Sequence, residues 1–104
     1  MSLDVRLSSC GNILHMRIGE TFDFAESRHF HESYRKVVKP GLTYRIDFSR
    51  TAKIGTAALG MLLMLKEFAH SHRCSVVLSG LNEEIQQMAK IARLNQLFVI
   101  EGMS

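Results

Sequence analysis

Charged and apolar residues alternate from Asp4 to Ser9 and again from Ile13 to Ile18, and the intervening Cys10-Gly11-Asn12 is turn chemistry. The chain is therefore expected to open with two strands joined as a hairpin. The period then changes. From Phe24 to Val38 the spacing predicts a helix that gathers Phe24, Phe30, Tyr34, Val37 and Val38 on one face and leaves Glu26, Arg28, Glu32, Arg35 and Lys36 in water. Asp23 is suited to cap it, and Pro40-Gly41 to stop it.

Alternation returns from Thr43 to Ser49, followed by a short basic loop ending at Lys53-Ile54-Gly55 and an apolar helix from Thr56 to His70. Ser75 to Ser79 is dense in β-branched residues, ends at Gly80, and reads as an inner strand. Asn82 caps a third helix, Glu83 to Arg93, whose acidic first turn and basic last turn suit the helix dipole, and Phe98 to Ile100 makes a final strand. The order β-β-α-β-α-β-α-β predicts an α/β fold, one domain over residues 1–104, with a mixed, mostly parallel sheet and right-handed crossovers. Functional groups in such sheets collect where strand-to-helix loops leave the carboxyl ends of the strands. The Asp23 and Thr56 loops should both lie there.

Composition narrows the function. The 104 residues are 46% hydrophobic and 22% charged, enough for a real core. The net charge of +3 comes from scattered basic residues, and with no Trp and no spaced aromatic series the chain does not read as a nucleic-acid binder. The most apolar stretch, Ala57 to Leu65, is too short to cross a bilayer, and no segment reads as a secretion signal, so the expected setting is the cytoplasm without membrane insertion. Cys10 and Cys74 are expected to stay reduced. The five histidines offer no converging ligand pair, so no metal is expected, and no other cofactor. No nucleophile-and-base arrangement, phosphate-cradling glycine loop or paired acids in an apolar setting is present, so the chain reads as a substrate of enzymes rather than as one.

Thr56 stands out on physical grounds. It places a hydroxyl where a helix exposes unpaired backbone N–H groups. A phosphoryl group there would add about −1.5 to −2 charges, which the helix N-terminus tolerates but a partner packed over the spot would not. Setting Ala58, Leu59, Leu62, Leu65 and Ala69 against the core turns Ala57, Gly60, Met61 and Met64 to the flank or outward, a small-and-Met surface suited to a partner. Each residue also has a structural reading: Thr56 as helix N-cap, Asp23 and Asp47 as loop caps, Met61 and Met64 as core filler.

The run Ile46-Asp-Phe-Ser-Arg, a short loop, then Gly55-Thr-Ala-Ala-Leu-Gly60-Met-Leu-Leu resembles the signature of the STAS domain family, the anti-sigma factor antagonists. Glu20-Thr-Phe-Asp23-Phe, Val76-Val-Leu-Ser-Gly80-Leu and Leu94-Asn-Gln-Leu-Phe98 extend the resemblance over nearly the whole chain. Carried across residue by residue, it implies that Thr56 is the phosphorylated hydroxyl, that Asp47 is the acid ending the central strand, that Asp23 is the first-loop acid and that Leu59 belongs to the motif. The acid that precedes the hydroxyl in the family falls on Gly55, a departure.

The resemblance implies partner switching. Unmodified protein would bind an anti-sigma factor or a histidine-kinase-like Ser/Thr kinase through Asp23, Gly55, Thr56, Ala57, Gly60, Met61 and Met64. Phosphorylation of Thr56 would break or redirect the complex, and a Ser/Thr phosphatase would reverse the mark. The alternatives are a non-phosphorylated scaffold or transporter-accessory module, and a small-ligand or nucleotide sensor with a pocket between the Asp23 and Thr56 loops.

Overall fold

The computed structural model describes residues 3–102. Strands β1 (Asp4–Leu7) and β2 (Ile13–Arg17) form the expected antiparallel hairpin, with Val5 opposite Met16 and Leu7 opposite Leu14. From β2 the sheet grows by parallel pairing through β4 (Thr43–Asp47) and β6 (Ser75–Ser79) to β7 (Val99–Ile100), in the order β1-β2-β4-β6-β7. Between these strands come α1 (Ser27–Arg35), α2 (Ala58–Ser71), α3 (Glu83–Ile91) and a single-turn α4 (Leu94–Leu97). The mixed, mostly parallel α/β architecture is the one its alternating pattern predicts.

One core forms on one face of the sheet. Leu14 and Met16, Tyr44 and Ile46, Leu78 and Ile100 point into it, and every helix contributes to the same cluster: Phe30 and Tyr34 from α1, Leu62 and Leu65 from α2, Ile85 and Ala89 from α3, Leu94 from α4. A chain of edge-to-face rings, Phe48, Phe22, Phe30, Tyr34 and Tyr44, ties α1 to the sheet. The opposite face carries the other half of the period-2 pattern, including Arg17, Arg45 and Asp47, and remains in contact with water.

Caps set the helix ends. Asn82 Oδ1 accepts the Ile85 N–H at 2.8 Å, so α3 begins where the sequence places it. The first helix differs. Its predicted span, Phe24 to Val38, resolves into a 3-10 turn over Phe24–Glu26 followed by the shorter α1. Phe30 lies six positions after Phe24, and at 3.6 residues per turn that spacing never put them on one face. Phe24 is 76% exposed, and Val38 also lies outside the core.

The second helix differs by a rotation. Its buried residues are Ala58, Met61, Leu62, Leu65 and Ala69, with Leu59 half-buried. At 100° per residue, Met61 falls closer to the axis of that stripe than Leu59 does, and its side chain is 4% exposed. Met61 is therefore core and is not available to a partner. Gly60, Leu63 and Met64 form the outward side.

Two small strands go beyond the predicted order. Thr21–Phe22 (β3) and Lys53–Ile54 (β5) pair in parallel, Thr21 with Lys53 and Phe22 with Ile54, as a separate two-stranded sheet beyond the ends of β2 and β4. Their pairing draws the loops that follow them to the same place.

Candidate functional site

The two loops that carry the sequence-predicted site residues meet at the carboxyl ends of the parallel strands. Phe22 is buried between Phe30 and Phe48 and anchors the first loop, while its carbonyl accepts the Gly55 N–H at 2.9 Å and anchors the second. The next residue along, Asp23, points its carboxylate across the gap. Its Oδ1 accepts the Ala57 N–H at 3.2 Å. The Asp23 backbone N–H in turn donates to Glu26 Oε1 at 2.8 Å, so Glu26 fixes the turn from which the carboxylate projects.

This arrangement revises two sequence expectations. Thr56 does not cap the second helix: α2 begins at Ala58, Ala57 holds the cap position with helical dihedrals and no side-chain cap of its own, and Thr56 lies in the preceding turn. The hydroxyl-bearing residue is exposed and leaves the capping contact to Asp23, which arrives from a loop 34 residues away in sequence. Asp23 itself does more than start the first helix. Gly55 explains how it fits, because a Cβ built on Gly55 would overlap the Asp23 carboxylate. The same carboxylate lies over Gly55, between the two loops that the alternative reading as a ligand sensor would have line a pocket.

Around Thr56 the surface is small and apolar. Gly60 and Met64 follow on the outward side of α2, Ala57 is half-buried, and Leu63 adds an exposed aliphatic group. Phe24, directly after Asp23, presents its ring to solvent from the other loop. Sequence reasoning placed Phe24 in the core and missed it as a surface group; its six-residue spacing from Phe30 was the available signal. The structure thus gathers Asp23, Gly55, Thr56 and Ala57 at the loop junction, carries Gly60 and Met64 along the helix from it, and withdraws Met61 into the interior.

Asp47 occupies a neighbouring position at the end of β4. Burial raises its carboxyl pKa, but the backbone and side chain of Ser49 and the guanidinium of Arg17 outweigh that, leaving it below the ordinary carboxylate value. Its Oδ1 accepts the Ser49 N–H at 2.8 Å, and Arg17 Nε lies 3.5 Å from Oδ2. Gly80 packs over this turn with φ +73°, and a Cβ there would stand 2.7 Å from both Asp47 Oδ1 and the Ser49 nitrogen. Asp47 and Gly80 therefore brace the β4 exit from which the Thr56 loop departs. Leu59 is half-buried and packs against the core.

Among the described residues, no three His, Cys, Asp or Glu side chains converge as metal ligands, and no helix is long and apolar enough to cross a membrane. Cys10 and Cys74 are both free thiols, and Cys10 is exposed rather than packed.

Comparison with known proteins places this geometry in a family. The family model described as Mlab, STAS domain matches residues 5–101. A STAS-domain containing protein of Pseudomonas aeruginosa (strain UCBPP-PA14) is 28% identical over 100 residues, 96% of this chain and 99% of the relative. The fold superimposes with TM-score 0.81 on a Thermotoga maritima protein classed as a candidate anti-sigma factor antagonist, at 12% identity over 94% of this chain and 84% of that one. It superimposes with TM-score 0.72 on the anti-sigma factor antagonist SpoIIAA in its unphosphorylated form, at 8% identity over 99% and 90% of the two chains. With a match that runs from its first strand to its last and takes in both loops of the site, the chain belongs to the STAS domain family.

Proposed function

We propose that this STAS domain is a regulatory binding protein of the anti-sigma factor antagonist type, docking an anti-sigma factor or a histidine-kinase-like Ser/Thr kinase over the surface around Thr56 and switched by phosphorylation of Thr56. The observation that carries the reading is the position of the exposed Thr56 at the head of α2, next to the outward Gly60, Leu63 and Met64 and across the loop junction from the exposed Phe24. Apolar groups gathered on one exposed patch mark a place for a protein partner. Thr56 sets a hydroxyl beside those apolar groups, so a single covalent change would alter the surface they form. Phosphorylation would bring about −1.5 to −2 charges to it, and burying an unanswered dianion under a partner costs several kcal/mol. The protein acts in this scheme by binding, in the cytoplasm, with a Ser/Thr phosphatase resetting it.

Phosphate-affinity gels on protein from its native cells test the mark, comparing wild type with Thr56→Ala. Pull-downs from the same cytoplasm with Thr56→Ala and Thr56→Glu baits test the switch. The expected result is a shifted wild-type band that Thr56→Ala abolishes, and at least one partner retained by one bait and lost by the other. Equal recovery of every partner on both baits refutes the switch.

One observation favours a second reading, a scaffold or transporter-accessory module that is never phosphorylated. The Asp23 carboxylate already holds the Ala57 N–H, so the helix terminus beside Thr56 carries a negative group before any modification. An unshifted wild-type band in every growth state, with partner binding intact, selects that reading.

A further inference from the structure

The 3-10 turn Phe24–Glu26 buries none of its residues, yet it holds the most solvent-exposed aromatic ring of the site. Upstream it is fixed at Phe22, which is buried, paired with Ile54 and bonded through its carbonyl to Gly55. Downstream it runs into α1, whose first buried side chain is Phe30. Between those points the turn is held by the local bonds between Asp23 and Glu26 and by the reach of the Asp23 carboxylate to Ala57.

Gly55 is matched to that reach. Its φ lies outside the left-handed region, so the backbone there does not require glycine, and the neighbouring Gly80 at +73° shows the contrast. What position 55 requires is empty space, and the Asp23 carboxylate occupies it. The amide it caps belongs to Ala57, the residue directly after Thr56. A phosphoryl group on the Thr56 oxygen therefore lies within reach of the same amide and carries the larger negative charge. Two anions cannot share one first-turn N–H without repulsion, and the one tethered next to that amide has the shorter path to it.

We propose that the Asp23 carboxylate is a releasable clasp: phosphorylation of Thr56 expels it from the first turn of α2 and frees the turn that carries Phe24. The proposal rests on the reading of Thr56 as the phosphoacceptor. It adds that the mark reshapes the docking surface as well as charging it, because the exposed ring loses its fixed position when the clasp opens. The cost of opening is confined to a segment with no buried residues, so the core and the sheet stay as they are.

The first arm of the test is a double-mutant cycle in thermal unfolding on Asp23→Ala, Gly55→Ala and the pair. Gly55→Ala sets a Cβ where the carboxylate lies and Asp23→Ala empties that space, so the double variant should melt where Asp23→Ala alone melts; additive losses overturn the matched clasp. The second arm installs phosphoserine at position 56 during synthesis. Phe24→Trp serves as reporter, since the chain has no Trp of its own. The phosphorylated protein should show the Ala57 amide protected by a new partner and the anisotropy of the reporter indole lowered to the value given by unphosphorylated Asp23→Ala. Adding Asp23→Ala to the phosphorylated protein should change neither signal. An unchanged anisotropy on phosphorylation, with Asp23→Ala still lowering it, overturns the release. Because the phosphate is installed chemically, these outcomes do not depend on whether cells mark Thr56; a missing mark in cells sinks the switch and leaves the clasp to be judged on its own data.

Discussion

Phe22 and Phe24 are the same residue type two positions apart, and the structure assigns them opposite fates. Phe22 is 1% exposed, with ring centroids 5.0 Å from Phe30 and 5.5 Å from Phe48, both edge-to-face. Truncating a buried Phe to Ala costs about 3–5 kcal/mol, through lost transfer energy and the cavity left behind. Unfolding entropy of roughly 2.1 cal/mol/K per residue, over a chain of this length, makes each kcal/mol worth about 4–5 °C in Tm, so Phe22→Ala should melt roughly 14–23 °C lower. Phe24→Ala removes a ring that touches mainly water and should stay within about 0.5 kcal/mol of wild type, a shift near 2 °C. Melting curves by circular dichroism on the two variants measure this directly. Native pull-down then separates the roles: Phe24→Ala should fold and lose partner recovery. A Phe24→Ala variant that melts about 8 °C or more below wild type, several times the surface-substitution shift, would refute the exposed placement of the turn and the surface built on it.

Other outcomes follow from the same geometry. Met61→Ala should lose about 2–5 kcal/mol of stability, as core methionines do, whereas Met64→Ala should fold normally and weaken partner recovery; denaturant titration with pull-down distinguishes them. Gly80→Ala should destabilise by more than about 1 kcal/mol, because the left-handed backbone strains and the new Cβ meets Asp47 and Ser49. His31 sets a pH dependence: burial, then the charge of Arg35, lowers its pKa below the ordinary histidine value. The folded state therefore takes up the proton less readily than the unfolded chain, and the stability this contributes is full above about pH 6.5 and is lost as pH falls below it. Melts between about pH 7.5 and 5, which bracket the ordinary histidine value, should show Tm falling on the acid side, with His31→Gln reducing that slope; an unchanged slope rejects the assignment. Asp47, held below its ordinary value, contributes stability present above about pH 4 and lost as acid protonates it, so Asp47→Asn should lower Tm at about pH 7 and much less at about pH 3.

Much of this was legible because elements and core follow from periods that are local. The 2-residue alternation of Ile13 to Arg17 and Thr43 to Asp47 reports which face is buried, and Asn82 announces its helix because a cap bond spans only three residues. The site was legible as a pair of loops at one end of the sheet. What escaped was through-space chemistry. That Asp23 caps α2 depends on a contact between segments 34 residues apart, and nothing near Thr56 in sequence signals that its capping role has been taken. Gly55, a departure when compared position by position, becomes intelligible only when the carboxylate lying over it is seen. Met61 and Phe24 were misplaced for different reasons: Met61 sits at the margin of an apolar stripe, where a rotation of part of a turn changes surface to core, and Phe24 lies in a 3-10 turn outside the helix whose period was used to place it. The β3–β5 pair, two residues on each side, is too short to leave any periodic trace.

That brief parallel pair has a consequence for when the protein becomes competent. Its two strands, and the carboxylate bridge beside them, join two segments that are far apart in sequence, so the surface built on both loops exists only where both are in place. A copy in which the two loops part would scatter the groups that a partner would read. Under the proposed function, binding would therefore report on the completed fold.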